Sequence, residues 1–155
     1  MPTQLDMTLD AITDQLVAPG GPAETVPFTR NGVSMPAFKN APPSLAHYFA
    51  HYCNEHKDAE FLVDDGCRLT YSETYEAARH VAAGLLAQHK LVKGDRIAIA
   101  ARNSANWIVA YMGVVMAGGC AALINGFSTG EEMGDAIRMV GCRIVLADRK
   151  RAERL

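Results

Sequence analysis

Between Asn103 and Gly130 the chain runs for 28 residues without a charged side chain, and this constrains the fold more than any other feature. A stretch of that length is long enough to cross a bilayer as a helix. Its internal pattern argues otherwise. Gly118-Gly119 interrupts it, Asn125 and Ser128 follow closely, and the two halves differ in character. Residues 104–117 carry apolar side chains all round a helical projection, Trp107, Val109, Met112 and Val115 among them, whereas Cys120-Ala121-Ala122-Leu123-Ile124 has the length of a strand. The run therefore reads as a buried helix followed by a buried strand, with no transmembrane segment.

Its flanks extend the alternation. Arg96-Ile97-Ala98-Ile99-Ala100-Ala101 is apolar on both faces, as a central parallel strand must be. Ser128 and Thr129 are overlapping helix caps, each with a glutamate three residues on, and Met133, Ala136, Ile137 and Val140 give the helix they open one apolar edge. Gly141 ends that helix, and Arg143-Ile144-Val145-Leu146-Ala147 is a third strand. The expectation is a doubly wound α/β fold: parallel strands at 95–101, 119–124 and 143–147, joined by helices at 104–117 and 130–140 in a βαβαβ order.

Upstream, Ser44 caps a helix to about Lys57 whose docked stripe is Leu45, Tyr48, Phe49 and Tyr52. Phe61-Leu62-Val63 and Cys67-Arg68-Leu69-Thr70, joined through Asp65-Gly66, form a β-hairpin. Thr70-Tyr71-Ser72-Glu73 is a capping box that opens a helix to about His89, with Tyr75, Ala78, Val81, Ala82, Leu85 and Leu86 facing the core. Residues 1–43 hold all seven prolines and show no sustained period; they read as an extended leader, with any helix at Leu5–Val17. Two regions result: a leader over 1–43 and an α/β subdomain over 44–155.

Composition narrows the class. A net charge of −2, with 49% hydrophobic and 21% charged residues, excludes a disordered tail and a basic nucleic-acid binder. Cysteines 53, 67, 120 and 142 form no CxxC pair, and Met1–Thr13 lacks the basic and apolar regions of a secretory signal, so a reducing cytoplasm fits. His47, His51, Cys53 and His56 crowd together, but one helix cannot converge three of them on a metal. No GxGxxG follows the first strand and no Gly-x-Ser-x-Gly elbow is present; Gly113-x4-Gly118-Gly119 lacks a phosphate-neutralising lysine and is explained by packing and helix termination. In a sheet of this kind ligands bind beyond the carboxyl ends of the strands, at Arg102-Asn103, Asn125–Ser128 and Asp148. Asp95-Arg96 and Asp148-Arg149 read as places where strands meet water, without a further role. A self-contained flavodoxin-like binding module is one function consistent with such a fold.

A more specific reading comes from five blocks in order: Leu69-Thr70-Tyr71-Ser72-Glu73, Lys93-Gly94-Asp95-Arg96-Ile97-Ala98-Ile99, Asn103-Ser104 with Trp107, Ala117-Gly118-Gly119, and Asn125. Over 44–148 the chain resembles the start of an AMP-forming, adenylate-forming acyl-CoA synthetase. The resemblance implies that the parent enzyme uses ATP, Mg and CoA, activating a carboxylic acid to an acyl-adenylate and then thioesterifying it, with a fatty acid as first expectation and an aryl acid as second. It also implies that this chain is the N-terminal part of a longer enzyme. Its partners would then be the remainder of that enzyme and a carboxylic acid, oligomerisation being left open. The phosphate loop, ribose-binding Asp and late catalytic Lys of such enzymes have no counterpart in this chain, so no catalytic residue, bound cofactor or metal is expected here. Where relatives read Asn-Pro-Arg, this chain has Asn125-Gly126-Phe127. Asn125, Phe127 and Ser128 are the substrate-cleft candidates.

Overall fold

A computed structural model describes residues 1–155 as two compact units, Met1–Pro43 and Ser44–Leu155. The second unit opens with α2 (Leu45–His56), then a hairpin of β3 (Glu60–Asp64) and β4 (Cys67–Thr70), α3 (Tyr71–Ala87), β5 (Arg96–Ala100), α4 (Ala105–Met116), β6 (Cys120–Leu123), α5 (Gly130–Met139), β7 (Ile144–Ala147) and a short α6 (Arg149–Ala152). Strand order is β6-β5-β7, with both pairs parallel. The expected βαβαβ arrangement is present, with β5 and β6 one residue shorter at each end and β7 one residue shorter at its start. No helix is long and apolar enough to cross a membrane.

Local chemistry sets these elements. Ser44, Thr70, Ser104 and Thr129 cap α2, α3, α4 and α5, and the Thr70–Glu73 and Thr129–Glu132 pairs close complete capping boxes. The register places Ile97 beside Ala121 and Ile144, so these residues share one sheet face. They pack with Leu85, Leu91, Ile99, Val114 and Leu146 into the main core. A smaller cluster joins Cys53, Ala78 and Met112 between α2, α3 and α4. Gly113 lets α3 and α4 approach closely: a Cβ there would lie 2.6 Å from Val81 Cβ and 3.0 Å from the Ala78 carbonyl. A Cβ on Gly119 would meet Ile97 Cδ1 at 2.8 Å. These glycines serve packing, and Asn106 is the one exposed residue of α4, as an all-round apolar helix requires.

Two expectations about faces need correction. On α2 the docked residues are Phe49 and Cys53; Leu45, Tyr48 and Tyr52 are exposed, because α2 meets α3 and α4 along one edge and leaves the rest of its apolar stripe uncovered. On α3 Leu86 is exposed and Thr74 is buried, its hydroxyl donating to the Thr70 carbonyl at 2.8 Å.

The first unit is not extended throughout. It contains α1 (Gln4–Val17), capped by a Thr3–Asp6 box, and a hairpin of β1 (Thr25–Arg30) with β2 (Val33–Phe38). The hairpin turns at Asn31-Gly32, with φ of 51° and 79°, which is the left-handed pair a two-residue turn demands. Pro27 stands opposite Pro36 in the register.

Candidate functional site

The three parallel strands end together, and the segments that follow them enclose a cleft of about 440 Å³. Arg102 and Asn103 follow β5, Asn125 and Phe127 follow β6, Trp107 comes from the first turn of α4, and Arg151 lies on α6. Trp107 stacks on Tyr111 of the same helix, with centroids 5.7 Å apart and planes 6° from parallel, so its ring presents a fixed wall. Phe127 is 86% exposed at the opposite segment. Asn103 and Trp107 also line an adjoining cleft of about 540 Å³ against Phe61–Asp64 of β3. There the Asp64 carboxylate accepts the Ala105 amide at 3.1 Å, tying the hairpin to the start of α4. Amides of Ala105 and Asp65 hold the Asp64 carboxyl below the usual carboxylate range.

Of the three expected cleft residues, Asn125 and Phe127 line the space and Ser128 does not. Asn125 shapes its own loop: its Oδ1 accepts the Phe127 amide at 3.1 Å and its carbonyl accepts the Ser128 amide at 3.1 Å. Ser128 is half-buried. The hydroxyl of Thr129 accepts the Glu132 amide and its amide donates to the Glu132 carboxylate. The Ser128-Thr129-Gly130 segment is therefore a helix cap with a carboxylate across its mouth, which does not fit a phosphate cradle.

The strand-end charges do more than meet water. Asp148 caps α6, accepts the Arg102 amide at 2.9 Å, and pairs with Arg151 Nη1 at 3.2 Å. Arg151 is only 4% exposed and donates its Nε to the Gly126 carbonyl at 2.8 Å. Burial raises the Asp148 carboxyl, but the amides of Arg102 and Arg151 and the Arg151 guanidinium outweigh that, leaving it below its ordinary range. Sequence reasoning missed α6 and Arg151, which sits in an arginine-rich stretch that reads as solvated. The signal available was Asp148 three residues before Arg151, the spacing of an acidic cap facing its own first turn. The clustered histidines of α2 diverge: His47 Nδ1 lies 2.8 Å from Ser44 Oγ, His51 faces Glu55, and His56 stands beside Tyr52 and Tyr71.

Comparison with known proteins adds to this geometry. A family model described as AMP-binding enzyme matches residues 49–155. The chain is 31% identical over 90 residues to 4-coumarate–CoA ligase 3 of Arabidopsis thaliana, covering 58% of this chain and 16% of that protein. It is 32% identical over 94 residues to a mitochondrial medium-chain acyl-CoA ligase of Danio rerio, covering 61% and 15%. The chain thus spans about a sixth of the length of these curated relatives. Among solved structures it resembles the Klebsiella oxytoca NpsA N-terminal subdomain in complex with anthranilyl-AMSN, at TM-score 0.63 and 24% identity over 68% of this chain and 27% of that one. A Mycobacterium tuberculosis fatty acyl CoA synthetase superposes at TM-score 0.65 with 20% identity, over 71% and 22%. At these identities the structural likeness shows the fold.

Proposed function

The chain belongs to the AMP-binding enzyme family, and on that footing we propose that it forms the N-terminal part of an ATP-dependent acyl-CoA synthetase. The parent would activate a carboxylic acid as its adenylate and transfer the acyl group to CoA. The family match over residues 49–155 carries this reading. Relatives named as medium-chain, long-chain-fatty-acid and 4-coumarate CoA ligases support acyl and aryl acids as the substrate class, with a fatty acid as the first to test.

Within that enzyme the cleft at the strand ends is the part of the ligand surface that residues 1–155 contribute. Asn125 and Phe127 are its contact residues, with Ser128 supporting the loop behind them. Trp107 and Phe127 offer apolar area, suited to an acyl chain or pantetheine arm. The residues present do not fit the triphosphate or its magnesium: the segment that looks like a phosphate loop is closed by Glu132, and Arg102 alone cannot stand for a cradle, a lysine and a metal. No chemical step is assigned to this chain. A cytoplasmic location remains part of the proposal, in keeping with four free cysteines.

The test is made on the intact parent enzyme. Carboxylate-dependent exchange of pyrophosphate into ATP is expected, strongest with a fatty or aryl acid. Phe127→Ala should raise the Michaelis constant for acyl substrate or CoA about tenfold while leaving thermal stability within about 0.5 kcal/mol. No exchange with any carboxylate would overturn the enzyme reading. A lowered melting temperature with unchanged kinetics would remove Phe127 from the cleft.

A further inference from the structure

The cleft depends on a contact made behind its aromatic wall, by Asp148 with Arg151, which also lines the cleft. After β5, β6 and β7 the chain leaves the sheet in three separate segments, and loops of this kind move independently unless something joins them. Here one pair, the buried Arg151 and the half-buried Asp148, touches all three. Asp148, directly after β7, holds the Arg102 amide after β5. Arg151 grips Asp148 with Nη1 and the Gly126 carbonyl after β6 with Nε. The fit is tight on both sides of the β6 loop. A Cβ on Gly126 would stand 3.1 Å from Arg151 Nε and 3.2 Å from the Ala101 carbonyl. A Cβ on Gly130 would overlap the Arg154 carbonyl, which belongs to the backbone and cannot swing aside.

We infer that Asp148 and Arg151 are positioning residues that lock the three strand-end segments into one rim, setting where Phe127 stands relative to Trp107. The planar guanidinium suits this task because two of its nitrogens donate in fixed, divergent directions. A lysine offers the same charge from a single point and cannot span Asp148 and Gly126 together. A buried arginine also needs its carboxylate, so the pair holds as a unit. The inference rests on the proposed cleft for its purpose, and the lock itself is measurable without any ligand.

The experiment is amide hydrogen exchange on the 155-residue chain, comparing the wild type with Arg151→Met and Arg151→Lys. Exchange at the amides of Arg102, Phe127 and Ser128 should accelerate about tenfold in both variants, with the central-strand amides of Ile99 and Ala100 unchanged. Acrylamide should quench Trp107, the single tryptophan, more strongly in both. If Arg151→Met does not fold, Asp148→Asn keeps the volume and the cap acceptor while removing the charge, and the same local pattern is expected. Acceleration spread over the whole unit, no acceleration at all, or full protection restored by lysine would each overturn the lock. In the parent enzyme Arg151→Lys should raise the same Michaelis constant as Phe127→Ala with kcat retained. A kinetically silent Phe127→Ala beside localised exchange would reject the cleft reading and keep the lock, so the two failures are separable.

Discussion

Adding one methyl group at Gly113 and one at Gly84 should move stability in opposite directions, although both glycines lie inside helices and face no unusual backbone requirement. Alanine gains about 0.5–1 kcal/mol over glycine in a helix interior by restricting the unfolded chain. At Gly84 of α3 nothing lies within 4 Å of the added Cβ, so Gly84→Ala should realise that gain in full. At Gly113 of α4 the Cβ would stand 2.6 Å from both Cβ and Cγ1 of Val81, against about 3.5–4.0 Å for an ordinary carbon contact. Turning the valine rotamer moves Cγ1 but not Cβ, and the Ala78 carbonyl at 3.0 Å is backbone. The helices must therefore separate, at an overpacking cost of about 2–3 kcal/mol, and Gly113→Ala should lose about 1–2 kcal/mol net. Urea unfolding followed by Trp107 fluorescence reports on the Ser44–Leu155 unit, which holds the single tryptophan. With a slope of about 2 kcal/mol per molar, the midpoint should fall by about 0.5–1 M for Gly113→Ala and rise by about 0.25–0.5 M for Gly84→Ala. If both midpoints moved the same way, α3 and α4 would not meet at Val81.

Met112→Ala should destabilise the same unit by about 2–5 kcal/mol in the urea assay, since Met112 is fully buried between α2 and α3 and leaves a cavity. Thr70→Ala removes the capping hydroxyl of α3, and a loss of about 1 kcal/mol is expected by the same measurement. Asp64, Glu73 and Asp148 all have carboxyls held below their ordinary range. Their contribution is therefore complete above the unfolded value of about 4 and is lost as pH falls through it toward the folded values, so the melting temperature should drop below about pH 4–5 and Asp148→Asn should flatten that drop. The 155-residue chain alone should show pyrophosphate exchange no greater than a no-protein control with any carboxylate, because it carries no phosphate-cradling segment; carboxylate-dependent exchange would reveal an active site within it.

The sheet was legible because its determinants are local and periodic. Ile97–Ala100 could only be a strand covered on both faces, and capping hydroxyls mark the starts of α2 to α5. What escaped was decided by long-range pairing. In the first unit the prolines at 27 and 36 argue against strands, since each lacks an amide donor. They are tolerated because they face each other in a two-stranded hairpin with no further strand to satisfy. Asn31-Gly32 was the local signal, and the proline count masked it. On α2 a helical projection identifies an apolar stripe but not how much of it a neighbour covers, and only Phe49 and Cys53 are packed in. Arg151 was missed for a related reason: a charge is read as solvated unless its partners are known, and although Asp148 is local, the Gly126 carbonyl is brought to it by the sheet.

The same distribution of partners bears on the ligand proposed for the candidate site. Asn125 Oδ1 is engaged by the Phe127 amide, Thr129 and Glu132 satisfy each other, and Asp148 is shared between Arg102 and Arg151. Most polar groups of the strand-end loops thus maintain the loops themselves. Trp107, Leu123 and Phe127 line the cleft, beside Asn103, Asn125 and the side chain of Arg102. Such a wall discriminates by apolar shape far more than by charge. Under the proposed function, a wall of this kind suits the organic acid or thiol ligand in preference to the triphosphate. Hence Phe127 is expected to govern which acyl or thiol ligand is accepted, while the fold behind it governs only whether the wall stands.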